Sequence, residues 1–255
     1  LGSLIPEEEH GALLARAPMD LRINRAKADR ENVLRELPNA QPIVGLPDAV
    51  RLSENMRIDD QPAWIEGRIE VQDAGSQWVA AACAVLPGMT VVDLCAGAGG
   101  KTLALAADMG GTGRLVACDT NRDRLQRMTP RAERAGVSSV EARLLNPGQE
   151  LSQLADLEGQ ADLVLIDAPC SGSGTLRRNP EARWRLTPDR LNRLTDLQAH
   201  VLALGARLVK PGGTLVYAVC SLIAAEGTEQ IAAFLEKERD WLAEDLDSLP
   251  GRQEG

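Results

Sequence analysis

The feature that most constrains the fold is a repeated alternation of short apolar runs and helix-type segments, which starts near Val71. Five runs are predicted as strands, at residues 91–94, 114–118, 140–145, 162–166 and 214–219. Helices are predicted between and after them, at residues 101–109, 122–135, from Thr187-Pro188 to about 209, and at 226–239. This alternation predicts an α/β fold with a parallel sheet and right-handed crossovers. The continuously apolar strands are typical of a sheet that is covered on both faces.

The first 70 residues follow another pattern. They are rich in proline and charge, and short alternating runs such as 19–23 and 49–52 predict strands around one helix near 27–37. We therefore predict two units: a small α+β appendage in residues 1–70 and a larger domain in residues 71–255.

Composition excludes several classes of protein. No run approaches the roughly 18 apolar residues of a membrane span, and the N-terminus lacks a signal-peptide pattern, so a cytoplasmic protein is expected. The five cysteines are odd in number and form no C-x-x-C pair, which argues against a disulfide framework and against a zinc site. No metal is expected, and a reducing compartment fits best.

The net charge of −9 looks unfavourable for a protein that binds nucleic acid, but the charge is unevenly distributed. Six arginines lie between Thr175 and Arg193 against two acids, whereas the segment from Glu226 onward holds nine acids and three bases. Charge alone favours ordinary solvated helix faces over an RNA-binding surface.

In a parallel sheet, ligands bind beyond the carboxyl ends of the strands, so the residues after each strand are the informative ones. The first strand is followed by the glycine-rich run DLCAGAGGKT, residues 93–102. Cys95 stands where a Walker A loop needs glycine, and Thr102 stands where the dinucleotide fingerprint needs its third glycine. The remaining interpretations are a loop for S-adenosylmethionine and a purely structural turn.

Asp119 follows the second strand. A carboxylate there can accept both hydroxyls of a ribose, although it could equally offset the dipole of the next helix. The glycine-rich loop beside it favours the ribose role.

Two cysteines follow neighbouring strands of the predicted sheet. Cys170 and Cys220 each lie in a loop with serine, so both are expected on one rim of the molecule. Cys83, Cys95 and Cys118 lie among apolar neighbours and are interpreted as packing residues. A thiolate beside a methyl donor suits pyrimidine chemistry, because addition to carbon 6 makes carbon 5 nucleophilic. A second thiol could assist product release, and Asp167 could bind the N3/N4 edge of the ring.

Three motifs, DLCAGAGGKT, DAPCSGSGTLRRNPEARW and YAVCS, occur in this order and spacing. With them the chain, from about Arg16 to Arg239, resembles the RNA cytosine-5 methyltransferases, most closely the bacterial 16S ribosomal RNA enzymes of the Sun/Fmu (RsmB) type. The resemblance implies a Rossmann-like methyltransferase sheet with an RRM-like appendage, a ribosomal RNA substrate and S-adenosylmethionine as cofactor.

The resemblance also implies roles for individual residues. Cys220 is implied as the nucleophile and Cys170 as the cysteine of product release, with Asp167 and Lys101 beside the cytosine. The implied cofactor contacts are Cys95, Ala96, Gly97, Ala98, Gly99, Gly100, Lys101, Asp119, Asn146 and Asp167. Asn146 departs from the family, which has an acid there; Gly97-Ala98 and Val219 depart from the usual Ala-Pro and Thr.

Aromatic residues make up only 2% of the chain, so RNA contacts are expected mainly from arginines. The candidates are Arg22, Arg25, Arg177, Arg178, Arg183 and Arg185. The family's N-terminal helical RNA-binding domain and final Gly-Phe-rich strand have no counterpart in this sequence, so a truncated chain or a shorter homologue is expected. The protein is expected to be a monomer. Alternatives that stay open are the same chemistry on transfer RNA, a catalytically silent RNA-binding module, and a nicotinamide oxidoreductase, which the missing glycine disfavours.

Overall fold

A computed structural model describes residues 16–54 and 56–244, apart from the side chains of Ala182 and Arg183. The first part forms an antiparallel sheet in the order β2-β3-β1-β4. Its strands are β1 (Met19–Ile23), β2 (Ala40–Ile43), β3 (Leu46–Leu52) and β4 (Ile69–Val71). Two short helices accompany the sheet, α1 (Arg30–Glu36) and α2 (Pro62–Ile65).

This small unit has its own core, in which Leu21 and Ile69 of the sheet pack with Val33 of α1. The side chain of Asp29 caps α1 by accepting from the Asn32 amide at 2.8 Å, so the helix begins three residues later than predicted. The predicted α+β appendage is confirmed. Its sheet ends at Val71, which pairs with Leu21, so the sheet extends one residue past the predicted boundary.

The second sheet is parallel, with the strand order β7-β6-β5-β8-β9. The strands are β5 (Thr90–Asp93), β6 (Arg114–Asp119), β7 (Val140–Leu144), β8 (Ala161–Asp167) and β9 (Val209–Ala218). The helices are α3 (Ala74–Ala82), α4 (Gly100–Asp108), α5 (Arg122–Ala135), α6 (Glu150–Gln153), α7 (Ala182–Arg185), α8 (Pro188–Leu208) and α9 (Thr228–Lys237). The α/β fold with a parallel sheet is therefore confirmed.

Apolar side chains cover both faces of this sheet. On one face Val164 and Ile166 of β8 pack against Leu202 and the rest of α8. On the other, Leu165 packs with Leu105 of α4. Gly205 lets α8 approach closely, because a Cβ atom there would lie 2.7 Å from Ile166 Cδ1. This tight packing fixes the carboxyl ends of β8 and β9, which carry the candidate cysteines.

Two predicted boundaries differ from the structure. The helix α8 ends at Leu208 and β9 begins at once, five residues before the predicted strand, through a register shift opposite 161–163. The last helix begins at Thr228, because Gly227 (φ −116°, ψ −100°) interrupts the chain after a 3₁₀ turn at 224–226.

The two sheets are joined by polar contacts to α5. Asn24 donates through Nδ2 to the Ala135 carbonyl at 2.8 Å. The buried carboxylate of Glu70, in β4, pairs with Arg131 at 2.9 Å and with Arg134. Arg131 in turn donates to the carbonyl of Ala98 at 2.6 Å. The small unit is thus connected to the glycine-rich loop of the larger one.

Candidate active site

The sheet order brings the candidate loops together at one edge. Strands β5 and β8 are neighbours, and so are β8 and β9, all in the same direction. The loops that follow them, at 94–99, 168–172 and 219–223, therefore meet beyond their carboxyl ends. The strand order reverses on either side of β5, which is where such sheets leave a crevice for ligands.

Cys170 and Cys220 lie in contact at this edge. Their Sγ atoms are 3.3 Å apart, and Cys220 is exposed while Cys170 is partly buried. A hydrogen bond from the Cys170 thiol lowers the pKa of Cys220 to about 7 and raises the pKa of Cys170. Near neutral pH, Cys220 is therefore the better nucleophile of the two and Cys170 is the proton-bearing partner.

The other cysteines are packed in the protein. Cys83 and Cys118 are buried and Cys95 is partly buried. Burial raises the pKa of all three thiols, that of Cys118 to about 12. They are protonated and unreactive at neutral pH, as expected of packing residues.

Lys101 and Asp167 form an ion pair beside the cysteines. Lys101 Nζ lies 2.6 Å from Asp167 Oδ2 and also donates to Ser76 Oγ at 3.2 Å. Lys101 belongs to the first turn of α4, and Asp167 is the last residue of β8. Ser76, in α3, was not singled out from the sequence.

These groups open into a cavity of about 420 Å³ between the two sheets. Its walls include Lys101, Asp167 and Cys220 as well as Arg51 from β3 of the small sheet. A volume of this size is within the range of small-molecule sites and accommodates a single base.

The glycine-rich loop lies beside this cavity and has features of a ligand cradle. Gly97 has φ +56°, and a Cβ atom there would meet nothing within 4 Å, so a ligand can approach the backbone. Gly99 has φ +80° and lies against Met128, to which a Cβ atom would come within 2.4 Å. The first turn of α4, starting at Gly100, adds amide donors without a helical partner.

Acidic groups face the same loop. Asp119, the last residue of β6, accepts from the amides of Gly97 at 2.8 Å and Asn121 at 2.7 Å, which holds its carboxylate next to the loop. Asp93 is buried, accepts from Thr102 Oγ1 at 2.6 Å, and its Oδ1 atom has no hydrogen-bond partner. Burial raises the pKa of Asp93 to about 6.

The open backbone at Gly97, the free amides at the start of α4 and the Asp119 carboxylate beside them fit a nucleoside such as S-adenosylmethionine. The sequence analysis did not assign Asp93. Asn146 follows β7 on the same edge and is exposed, with its amide donating to Gln153 Oε1 at 2.7 Å.

The arginines proposed for RNA fall into two groups. Arg177 and Arg178 line the cavity, and Arg178 pairs with Asp73. Arg185 is exposed and lies 3.5 Å from Glu181 in the short helix α7. The side chain of Arg183 lies outside the described part of the structure.

Arg22 and Arg25 are not brought to the cavity. Arg22 is buried and donates through Nε to Gln72 Oε1 at 2.7 Å. Arg25 pairs with Asp48 and with Asp108, at the end of α4 opposite the glycine-rich loop. The alternating pattern of β1 could not distinguish an arginine that faces the interior from one that faces RNA.

The sequence analysis also missed a buried carboxylate. Glu226 is fully buried behind the two cysteine loops and accepts hydrogen bonds from Ser171 and Ser221. Its position after Cys220 carries no local signal, because glutamate in a helix-type segment is usually solvated.

The described residues hold neither a metal-type cluster nor a membrane-spanning helix. Within residues 16–54 and 56–244, no three His, Cys, Asp or Glu side chains are grouped so as to hold a metal ion. None of the helices in that same part of the chain is long and apolar enough to cross a membrane.

Known proteins resemble the chain in sequence and fold. The family model described as 16S rRNA methyltransferase RsmB/F matches residues 81–253. A curated relative from Synechocystis sp., named probable ribosomal RNA small subunit methyltransferase B, is 41% identical over 89% of this chain and 51% of its own length. The chain thus spans about half the length of that relative.

Two solved structures from Pyrococcus horikoshii share the fold. A methyltransferase homolog protein is 30% identical, with a TM-score of 0.76 over 89% of this chain and 72% of its own. NSun6, solved with SFG, has a TM-score of 0.81 at 17% identity, over 92% of this chain and 85% of its own. Together with the match of the family model to 81–253, the 41% identity shows that the chain belongs to the 16S rRNA methyltransferase RsmB/F family.

Proposed function

We propose that the protein methylates carbon 5 of a cytosine in 16S ribosomal RNA, using S-adenosylmethionine and a covalent adduct between Cys220 and carbon 6 of the base. The observation that carries this proposal is the 3.3 Å contact between Cys170 and Cys220 at the mouth of a cavity. Family membership supports the same reaction, and the curated relative's name supports small-subunit ribosomal RNA as the substrate.

The first step is nucleophilic addition. The Cys220 thiolate attacks carbon 6, the S–C6 bond forms, and the electron pair of the C5=C6 bond makes carbon 5 nucleophilic. The lowered pKa of Cys220, caused by the hydrogen bond from Cys170, favours the thiolate that this step needs.

The Lys101–Asp167 pair is suited to hold the base during this step. The Asp167 carboxylate can accept a hydrogen bond from the N4 amino group of cytosine. The Lys101 ammonium can donate to the O2/N3 side, where negative charge develops on addition, and such a donor stabilises the transition state. Both groups already line the cavity with Cys220.

The residues that would hold S-adenosylmethionine are those of the glycine-rich loop, Cys95 to Lys101, together with Asp119, Asn146 and Asp167. When bound, this molecule supplies an electrophilic methyl group on a sulfonium. The chain's own contribution is a ribose acceptor at Asp119 and open backbone at Gly97.

Product release requires the loss of the C5 proton and cleavage of the S–C6 bond, which restores the C5=C6 double bond. In this elimination the C5–H electron pair forms the double bond and the S–C6 pair leaves on Cys220 as a thiolate, which its lowered pKa favours. Cys170 touches the Cys220 sulfur, and its raised pKa makes its thiolate the stronger base of the two, so after giving its own proton to solvent it can accept the C5 proton. Both reacting faces of the ring must be accessible, which requires the cytosine to be unstacked.

RNA is proposed to enter across the arginines at the cavity. Arg51, Arg177 and Arg178 line it, and Arg185 extends the basic surface on α7. Their guanidinium groups can bind phosphates and stack on bases. Arg183 belongs to the same proposed group by sequence, whereas Arg22 and Arg25 do not line the cavity.

The test is methyl transfer to purified 16S RNA, with transfer RNA as the second substrate and Cys83→Ala as the control variant. Cys220→Ala is expected to abolish transfer while keeping S-adenosylmethionine affinity. Cys170→Ala is expected to accumulate a protein–RNA adduct that survives denaturation. Turnover by Cys220→Ala would refute the assignment of Cys220 as the nucleophile. Methylation of transfer RNA alone would refute 16S RNA as the substrate. Cofactor binding without transfer to either RNA would favour a catalytically silent RNA-binding module.

A further inference from the structure

Glu226 connects the loops of the two cysteines. Its Oε1 atom accepts from the amide of Ser171, the residue after Cys170, at 2.7 Å. Its Oε2 atom accepts from the hydroxyl of Ser221, the residue after Cys220, at 2.6 Å. One carboxylate therefore binds the chain immediately after each thiol.

Gln198 extends this contact to the other side of Cys170. Its side-chain amide, buried in α8, donates to the carbonyl of Pro169 at 2.9 Å and to Glu226 Oε1 at 3.1 Å. Cys170 thus lies between two backbone groups, the Pro169 carbonyl and the Ser171 amide, that are fixed by one buried pair of side chains.

Three serine hydroxyls link the loops a second time. Ser221 Oγ lies 3.2 Å from Ser171 Oγ and 3.0 Å from Ser173 Oγ. Ser173 Oγ accepts from the amide of Leu222 at 2.8 Å. The hydroxyls of the serines that follow the cysteines are therefore bonded to one another, and that of Ser221 also to Glu226.

The charge of Glu226 strengthens these contacts. Burial alone would raise the pKa of Glu226, but hydrogen bonds from Ser171 and Ser221 outweigh it and keep the pKa below its usual value. The group is an ionised carboxylate with at least three donors, and hydrogen bonds to an ionised acceptor are about twice as strong as neutral ones. Outside the sheet, such side-chain contacts are what can hold an irregular loop in one geometry.

We propose that Glu226 is a positioning residue that keeps Cys170 and Cys220 in sulfur–sulfur contact by anchoring both loops to one buried carboxylate. For its effect on methyl transfer, the inference rests on the proposed function. The predicted effect of Glu226 on the thiols does not rest on it, because Cys170 and Cys220 are in contact without RNA or cofactor. Glu226 has no path to the base, so it acts through the cysteines.

The first test measures the thiol contact directly. Diamide oxidises two thiols to a disulfide cross-link and is itself reduced to the hydrazine, and the disulfide forms quickly only where the two sulfur atoms can reach bonding distance. The wild-type protein is expected to be cross-linked between Cys170 and Cys220, and Glu226→Ala to lose at least about 10-fold in cross-linking rate, since a displacement of about 1 Å is sufficient to separate reacting groups. Equal cross-linking in both proteins would overturn the inference, whether or not the protein methylates RNA.

The second test separates positioning from folding. Glu226→Ala is expected to lower kcat roughly 100-fold with KM for RNA and cofactor changed less than about threefold. Glu226→Gln keeps one oxygen for Ser171 but loses the acceptor for Ser221, so it is expected to recover part of kcat. Ser221→Ala removes the same hydrogen bond between Ser221 and Glu226, so its kcat is expected to match that of Glu226→Gln. This comparison remains available if Glu226→Ala fails to fold.

The control is Asp162→Ala. Asp162 is also a carboxylate that joins two segments, since it accepts from the Thr90 amide at 2.7 Å and pairs with Lys210. It lies at the opposite end of β8, so its loss is expected to lower Tm without changing kcat or cross-linking. If Asp162→Ala lowers kcat as much as Glu226→Ala at equal Tm, the effect is general destabilisation and the inference is wrong.

Discussion

The contact between the two cysteines predicts an unusual pH dependence for Cys220. The hydrogen bond from Cys170 lowers the pKa of Cys220 to about 7, whereas an ordinary thiol titrates at about 8.5. Cys170→Ala removes that donor, so the pKa of Cys220 is expected to rise toward the ordinary value. The reactivity of Cys220 towards iodoacetamide should report the change.

Two opposing effects set the magnitude. At pH 7 the thiolate fraction is about 50% for a pKa of about 7 and about 3% for about 8.5, a ratio of about 16. The more basic thiolate is intrinsically the stronger nucleophile, by about fivefold for this difference in pKa and a Brønsted coefficient of about 0.45. The wild-type protein should therefore react about threefold faster at pH 7, while Cys170→Ala should react about four- to fivefold faster above pH 9, with the two profiles crossing near pH 8.

The assay is the rate of alkylation of the Cys220 peptide, followed by mass spectrometry between pH 6 and pH 10. Cys83→Ala is the matched control, because it removes a buried thiol whose pKa is raised by burial, and it should leave the Cys220 profile unchanged. Parallel profiles for the wild type and Cys170→Ala, without a crossing, would show that Cys170 does not activate Cys220.

Two further predictions concern the cofactor loop. Gly99→Ala should destabilise the fold by about 2–4 kcal/mol in urea unfolding, because the cost of left-handed backbone adds to the cost of a 2.4 Å approach to Met128 Cγ. Gly97→Ala has the same backbone strain but no steric clash, so it should lose only about 1–2 kcal/mol of stability. Equal losses in the two variants would refute the steric argument. Burial raises the pKa of Asp93 to about 6, so the native state holds this proton more tightly than the unfolded chain. The stability of the wild type relative to Asp93→Asn should therefore rise by about 2 kcal/mol between pH 7 and pH 4, and a difference independent of pH would contradict the raised pKa.

The larger sheet could be predicted because its strands are continuously apolar and end at clear signals. β6 and β8 were predicted within a residue or two, since Asp119 and Asp167 interrupt the apolar runs. β9 was predicted to begin at 214, where its continuous pairing with β8 begins. The structure adds Val209, which pairs with Ala161 before a register shift that passes over Pro211 and two glycines. Proline and glycine in a sequence do not show whether a neighbouring strand continues to pair on both sides of an irregular segment.

The reactive residues could be predicted from their place after strands, since topology alone requires Cys170 and Cys220 to be neighbours. The buried residue that holds the two cysteine loops could not be predicted. Glu226 reaches the cysteine loops only because the chain turns at Gly227 and α9 packs back on α8. Arg22 shows the converse, because a charged residue in a short alternating strand looked exposed but is buried between the two units.

That burial bears on how the two units work together. Glu70, in the last strand of the small sheet, is buried with two arginines of α5, and one of them, Arg131, also binds the carbonyl of Ala98 in the glycine-rich loop. Removal of Glu70 would leave Arg131 partly buried without its charge partner, which is more costly than the loss of an exposed pair. The small sheet and the glycine-rich loop are therefore connected through Glu70 and Arg131. The unit that contributes Arg51 to the cavity also fixes the arginine that binds the glycine-rich loop, so displacement of the small unit at the cavity would disturb that loop as well.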